Sequence, residues 1–250
     1  MAKIISVLSG KGGVGKTFFA ANVAAALSEA GKSVLALDFD IGLKNLDLAL
    51  GMQDASPFDF TDMLNEGVLT EQVVSTHPKH PELCYAGCPQ FNDFSELPEN
   101  ALKNVTDSVK EKFDFIIIDC AAGIGDSVKN ALSVSDFAII IATPENTSVR
   151  DAEKTAAVIK ESNVKKSFLV VNRVRPKDIK KGYLNNIDDI IDIVNIRLLG
   201  LIPEDEDTPI RANKGLLAID SKRAKHQKIA LRNIAKRING IETPLYRFWK

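Results

Sequence analysis

Three cysteines, one tryptophan and no long apolar run in 250 residues set the first limits on this chain. A bilayer span takes roughly 18 to 20 consecutive apolar residues, whereas the apolar stretches at 115–119 and 137–142 break off within a few positions. Any membrane contact is therefore expected to be peripheral. Cys84, Cys88 and Cys120 are odd in number and form no C-x-x-C pair, which argues against a disulfide framework or a redox motif of the usual spacing. Met1–Leu8 runs straight into a glycine-rich loop and is too short for a secretory leader, so the expected compartment is a reducing cytoplasm. Internal repeats and low-complexity segments are missing as well.

Net charge is also scarce, −1 at pH 7, but it is unevenly spread. Residues 222–250 hold nine of the 32 Lys/Arg and one of the 33 Asp/Glu, which leaves 23 against 32 in the remainder. A basic end points to an anionic surface as partner, membrane or nucleic acid, unless it is only a solvated helix face. The length suffices for one large domain with a well-buried core and demands no second.

What is present begins at residues 9–17, Ser-Gly-Lys-Gly-Gly-Val-Gly-Lys-Thr. Gly10, Gly15, Lys16 and Thr17 fit the spacing G-x-x-x-x-G-K-[ST]. In that pattern backbone N–H groups, here those of the loop through Gly12, Gly13 and Val14, curl around phosphates; the lysine reaches the β/γ oxygens and the hydroxyl holds Mg²⁺. Lys11 is one cation more than this needs. Two residues into the loop, it cannot easily fold back on phosphates already surrounded by amides, so it is expected to point outward, toward the nucleotide of a second molecule. The loop is thus a dimerisation signal as well as a nucleotide signal.

Carboxylates follow at two strand ends. Asp38 and Asp40 close the apolar run from Val34; by strand alternation they share one face, where they can hold a metal's water shell or orient an attacking water. Asp119 ends the run Phe115–Ile118, the Walker B arrangement in which a carboxylate binds Mg²⁺ directly or through water.

Short unalternating runs at Ile4–Leu8, Val34–Leu37, Leu83–Ala86, Phe115–Ile118, Ala138–Ile141, Phe168–Val171 and Leu198–Ile202 predict strands covered on both faces. Helices are predicted at Thr17–Ala30, Glu99–Lys112, Asp126–Ser133, Val149–Glu161, Ile187–Val194 and Ser221–Ile238, the first closed by Gly31. The alternation predicts an α/β fold, a doubly wound and mostly parallel sheet with helices on both faces. Between Gln53 and Gln90 prolines break the pattern; Phe60, Met63, Leu64 and Val68 suggest a short buried helical stripe, and the stretch is expected to cover a sheet edge without chemistry.

The loop Lys11–Thr17 resembles the deviant Walker A motif of the ParA/MinD family of P-loop ATPases. The segment Asp40-Ile41-Gly42-Leu43-Lys44-Asn45-Leu46-Asp47, together with Ser148-Val149-Arg150-Asp151 and Leu199-Gly200-Leu201-Ile202-Pro203-Glu204-Asp205, resembles the septum-placing branch of that family, over about residues 1–245. The resemblance implies an ATP-hydrolysing switch over 1–243 that takes ATP/ADP with Mg²⁺. Lys11 would cross a homodimer in the ATP state, and Lys16, Asp40 and Asn45 would complete the catalytic set, with Asn45 fixing the γ-phosphate or the water. Thr17, Asp38 and Asp119 would stand around the metal. Asn172 would contact the adenine, with backbone at Pro203, Glu204 and Asp205 closing the pocket. Arg150 and Asp151, placed at a helix start, would lie beside the dimer interface where septum-inhibitor and topological-specificity proteins bind. Two residues depart from the family pattern. Phe18 stands where a second hydroxyl residue is usual, which leaves only its backbone N–H for the α-phosphate, and Ala121 replaces a proline after the Walker B strand; slow turnover is the expected result.

The predicted last helix docks Leu231, Ile234, Ala235, Ile238 and Ile241 and leaves Arg232, Lys236 and Arg237 wet. Beyond it, residues 244–250 carry Leu245, Tyr246, Phe248 and Trp249 with Arg247 and Lys250 between them, a pattern suited to a membrane interface or to packing back on the domain. Each such side chain, wholly buried, contributes roughly 1.5 to 3 kcal/mol at best, so one tail is marginal, whereas two on a dimer gain about 10² to 10⁴ in avidity. The expected localisation is cytoplasmic and peripheral on the inner membrane face, and nucleic acid is not an expected partner. The alternatives are a ParA-like partition or flagellar-number ATPase, a binding-only scaffold suggested by Phe18, and an iron–sulfur carrier using Cys88 and Cys120.

Overall fold

The computed structural model of the protein describes residues 1–41, 44–53, 55–65, 70–89 and 96–246. Its strands are β1 (Lys3–Leu8), β2 (Val34–Phe39), β3 (Ser75–His77), β4 (His80–Ala86), β5 (Phe115–Cys120), β6 (Phe137–Ala142), β7 (Lys166–Val174) and β8 (Leu198–Pro203). The helices are α1 (Lys16–Glu29), α2 (Leu46–Leu50), α3 (Thr70–Val73), α4 (Ala101–Val109), α5 (Asp126–Val134), α6 (Asn146–Glu161), α7 (Pro176–Lys180), α8 (Ile187–Val194), α9 (Thr208–Asn213) and α10 (Lys225–Ile238), with a 3₁₀ turn at Phe60–Leu64.

The strands form one sheet in the order β3-β4-β2-β5-β1-β6-β7-β8. Only β3 and β4 pair antiparallel among the described strands. Inner strands such as β2 and β5 are buried at every position, the behaviour expected of unalternating aliphatic runs covered on both faces. One apolar layer sets α1 and α10 against the sheet through Phe19, Leu27, Leu231 and Ile234. The opposite layer gathers α4, α5, α6 and α8 through Val105, Leu132, Ala156 and Ile190. Helix α1 packs on the sheet with α10 and α2 against it, so nearly its whole circumference is buried, which its run of alanines permits. Gly31, at φ 73°, closes it in the left-handed conformation that a side chain would strain.

Each predicted strand is present, and β3 is an addition: three residues of a hairpin edge carry no periodicity to read. Helix α6 begins at Asn146 rather than Val149, so Arg150 and Asp151 sit a turn inside it and do not open it. Helix α10 begins at Lys225, after a turn in which the Ser221 hydroxyl accepts from the N–H groups of Arg223 and Ala224. Two details of its expected face change. Ile241 is half exposed beyond the helix end, and Arg237 is half-buried, donating to the carbonyls of Leu199 (2.6 Å) and Thr243 (2.7 Å). Arg232 is exposed and paired with Glu29 across to α1. In the irregular stretch, Phe60 is buried, Met63 half-buried and Leu64 exposed, while Val68 lies outside the described residues. The stretch does supply the sheet edge, as β3.

Candidate nucleotide-binding site

Strand β1 lies between β5 and β6, and the chain leaves its carboxyl end through the glycine loop into α1. In an open α/β sheet this is where anions gather, at the ends of central strands and the N-terminus of a helix. Gly13 (φ 79°) and Gly15 (φ 95°) bend the loop through conformations that a residue with a side chain adopts only under strain. A Cβ on Gly15 would also fall 2.3 Å from the Asn172 amide nitrogen, and one on Gly10 would fall 2.3 Å from the Asp151 carbonyl oxygen. The loop is thus gripped by β7 on one side and α6 on the other. A third tether joins it to β5: Gly123, at φ 103°, donates its N–H to the Ser9 carbonyl (2.8 Å). This bond ties down the turn after Asp119, in which Ala121 stands where the family pattern has proline.

Lys16 and Thr17 form the first turn of α1. The Lys16 ammonium, buried at 7% exposure, stands 3.7 Å from Asp119 Oδ1. Both Asp119 oxygens are buried, and among the described residues neither makes a hydrogen bond of good geometry, with Lys16 and Thr17 the polar groups standing nearest. Burial pushes the Asp119 carboxyl up, against the pull of Lys16 and Thr17. An ionised carboxylate left short of partners in a dry interior is costly, and its place beside a hydroxyl and a lysine at a phosphate loop fits a divalent cation. Thr17 and Asp119 are the residues that would hold Mg²⁺.

Asp38 is differently employed. It pairs in register with Asp119 across β2 and β5, but its Oδ1 accepts the Asp40 N–H (3.0 Å) and its Oδ2 the Leu46 N–H (3.1 Å). Both oxygens therefore brace the segment that carries Asp40 and starts α2. Burial, and then the neighbouring Asp119, push its pKa up to about 7. Asp40 lies just beyond β2, nine-tenths buried; burial raises its pKa while Lys16 opposes. Asn45 caps α2 through its backbone alone, its exposed side chain making no capping bond. Together with Thr17, Phe18, Thr208 and Arg211 it lines a cleft of about 370 Å³ beside the loop. Phe18, half-buried, packs against the core layer of α1.

Asn172 is buried beneath the loop, and its amide donates to the Val14 carbonyl (2.8 Å); it positions the loop here, whatever it also offers a base. Pro203 ends β8, and the turn Glu204–Asp205 is held from behind by residues the sequence did not single out. Arg211 pairs with Asp205 at 2.8 Å, and Gln227 donates to the Pro203 carbonyl (3.1 Å). The signal was available in the acidic run Glu204–Asp207, followed one helical turn later by a single arginine.

Lys11 is exposed, and its ammonium donates to the Thr147 hydroxyl on α6 (3.2 Å). Arg150 is exposed on the same helix, and Asp151, half-buried, pairs with Lys154 at 3.3 Å. Lys11, Arg150 and Asp151 therefore come together at one surface.

Cys88 and Cys120 are buried thiols that burial pushes up to about 12, and among the described residues no group of three or more His, Cys, Asp or Glu side chains gathers where it could hold a metal ion. In the tail, the Tyr246 hydroxyl bonds His226 Nδ1 at 2.7 Å and Leu245 is 41% exposed, whereas Phe248 and Trp249 lie outside the described residues.

A family profile described as the CobQ/CobB/MinD/ParA nucleotide binding domain matches residues 5–218. The septum site-determining protein MinD of Bacillus subtilis is 38% identical over 248 residues, 98% of this chain and 92% of that protein. The solved MinC:MinD cell division protein complex of Aquifex aeolicus superposes with a TM-score of 0.89 at 30% identity, over 99% of this chain and 100% of that one. MinD complexed with Mg-ADP from Pyrococcus horikoshii superposes with a TM-score of 0.82 at 29% identity, over 96% of each chain. Because the likeness runs from the phosphate loop through the last helix and not through the loop alone, the chain belongs to the MinD/ParA family of nucleotide-binding ATPases.

Proposed function

We infer that this protein is a septum-placing ATPase that turns ATP and water into ADP and phosphate and uses the nucleotide state to control where it assembles. The observation that carries the chemistry is the Asp119 carboxylate, buried beside Lys16 and Thr17 with no hydrogen bond of good geometry among the described residues. A magnesium ion held at Thr17 and Asp119 would neutralise charge on the β- and γ-phosphates. The chain's own residues do the rest. Loop amides and Lys16 bind the phosphate oxygens, Asp40 orients the attacking water, and Asn45 reaches the γ-phosphate from the start of α2. Asp38 keeps Asp40 and Asn45 in place through the two backbone bonds it accepts. The relative solved with Mg-ADP supports the choice of nucleotide and metal.

In this reading Lys11 leaves Thr147 when two ATP-bound molecules meet and crosses to the partner's phosphates. The surface of α6 around Arg150 and Asp151 then lies beside the dimer seam, and the solved MinC:MinD complex supports a septum inhibitor of that kind as partner. Two tails on one dimer bind the anionic inner face of the membrane together, where one is marginal. The test is liposome sedimentation with ATP and with ADP, comparing the intact chain, a chain ending at Thr243 and Lys11→Ala. ATP should bring down only the intact chain, with Lys11→Ala still binding nucleotide. Equal pelleting in every sample refutes the switch.

A further inference from the structure

The hairpin of β3 and β4 buries two histidines, His77 and His80, with their ring centroids 4.9 Å apart. Both nitrogens of His77 are employed. Its Nδ1 accepts the Lys79 N–H (3.1 Å), which leaves Nε2 as the protonated nitrogen, and Nε2 donates to the Leu50 carbonyl at the end of α2 (3.1 Å). His80 Nε2 bonds Asp220 Oδ1 at 3.1 Å, on the turn that precedes α10. That turn is fastened to α1, because the Ile219 N–H donates to Asn22 Oδ1 (3.2 Å) while the Asn22 amide donates to the Phe18 carbonyl (2.8 Å). The hairpin thus ties the end of α2 to the helix that carries Lys16 and Thr17.

Helix α2 has only five residues, a rise of about 7.5 Å, so a shift at Leu50 is felt at its start. Asn45 stands at that start. The Leu46 N–H is held by Asp38 at one end, and His77 holds the carbonyl at the other. Just beyond, a Cβ on Gly51 would fall 2.6 Å from the Gly215 carbonyl oxygen, so the chain leaving α2 lies directly on the chain leaving α9. A ring needed only to fill space would not have to spend both nitrogens on backbone partners.

We propose that His77 is a positioning residue of the nucleotide site: by holding the Leu50 carbonyl it fixes α2, and through that helix the place of Asn45 opposite the γ-phosphate. This role rests on the reading of Asn45 as the group that reaches the γ-phosphate. The pin works only with a neutral ring, since a proton on Nδ1 would meet the Lys79 N–H that Nδ1 now accepts. The titratable groups acting on His77 are His80 and Lys79 on its own hairpin and Asp220 on the turn before α10, while α2 contributes the Leu50 carbonyl. Burial, and then His80, hold His77 below its usual range against Asp220 and the carbonyl. The pin is therefore intact above about pH 6.5 and is lost as pH falls below it.

The readout is the preference for a non-hydrolysable ATP analogue over ADP, each with Mg²⁺, titrated calorimetrically on the intact chain. In His77→Asn the side-chain amide reaches only the place of Nδ1, which keeps the turn and releases Leu50. In His77→Gln the amide nitrogen reaches the place of Nε2 and restores the donor. His77→Asn should bind the analogue about 3- to 10-fold more weakly, the loss of one hydrogen bond, with ADP affinity changed less than about twofold. His77→Gln should stay near wild type. Between about pH 7.5 and pH 5.5 the wild type should lose preference that His77→Gln keeps, titration of the nucleotide affecting both alike. Should His77→Asn not fold, that comparison decides alone, and identical profiles overturn the proposal. Equal weakening of both nucleotides in His77→Asn, the mark of a merely structural histidine, overturns it, as does an unchanged preference. Asn45→Ala separates the two readings. If it lowers the preference and His77→Asn does not, the pin falls and the site stands; if Asn45→Ala changes nothing, the reading of Asn45 falls and the pin with it.

Discussion

Replacing Gly15 by alanine should destabilise the nucleotide-free protein by an amount readable from its surroundings. Gly15 sits at φ 95°, ψ 32°, and a residue with a Cβ held at positive φ costs about 1–2 kcal/mol. The new Cβ would stand 2.3 Å from the Asn172 amide nitrogen. That amide must move, and it then loses its 2.8 Å bond to the Val14 carbonyl, a further loss of about 1–3 kcal/mol for a buried amide left unpaired. Together these give about 2–5 kcal/mol. In a chain of this size 1 kcal/mol moves Tm by about 2–4 °C, so a fall on the order of 10 °C is expected in a thermal melt without nucleotide. The double substitution Gly15→Ala/Asn172→Ala separates the causes. Removing the amide relieves the clash but not the backbone strain, so the pair should fall short of the sum of the singles by about 1 kcal/mol or more. A loss under about 1 kcal/mol from Gly15→Ala, or strict additivity with Asn172→Ala, would refute the claim that β7 holds the loop from below.

Asp38 makes nucleotide-free stability fall with rising pH. Its folded pKa of about 7 lies above the unfolded value, so the folded state binds the extra proton between about pH 4 and pH 7, and the stabilisation by protonation is lost as pH rises through that window, at most about 4 kcal/mol. His77, held down by burial and by His80, gives the opposite slope below about pH 6.5, so the quantity to read is the difference between wild type and Asp38→Asn in urea melts at pH 5 and 8; an identical pH slope in the two would sink the assignment. Gly200→Ala would bring a Cβ within 2.4 Å of Ile234 Cγ1 and should cost about 1–3 kcal/mol by overpacking β8 on α10, with Ile234→Ala less than additive upon it in the same melts. Arg232→Ala breaks a bidentate but largely exposed pair with Glu29, and should cost no more than about 1 kcal/mol, less at high salt.

The parts of this molecule that were legible in the sequence are those whose cause is local. A loop that needs glycines, a strand that needs an aliphatic run and a helix that needs a Gly31 stop each carry their reason within a few residues, and all appear where they were expected. What stayed hidden depends on register across the sheet. Asp38 and Asp40 read as equivalent carboxylates sharing one strand face, yet the first has both oxygens turned to the Asp40 and Leu46 amides, and only the pairing of β2 with β5 sets Asp38 beside Asp119. Asn172 was expected to contact a base only through the family resemblance, whereas its bond to Val14 depends on how β7 stands to β1. The same limit applies to Arg211 and Gln227, whose joint grip on the Pro203–Asp205 turn joins α9 to α10. It applies at the tail as well, where alternating aromatic and basic residues suit lipid and the domain surface equally, and only the position of Arg237 between Leu199 and Thr243 shows that the chain leaves the domain along β8. The residues proposed for the chemistry thus announce themselves by type and spacing. Those that hold them in position are ordinary residues made specific by neighbours remote in sequence, and substitutions at that second group are the ones that test the structure.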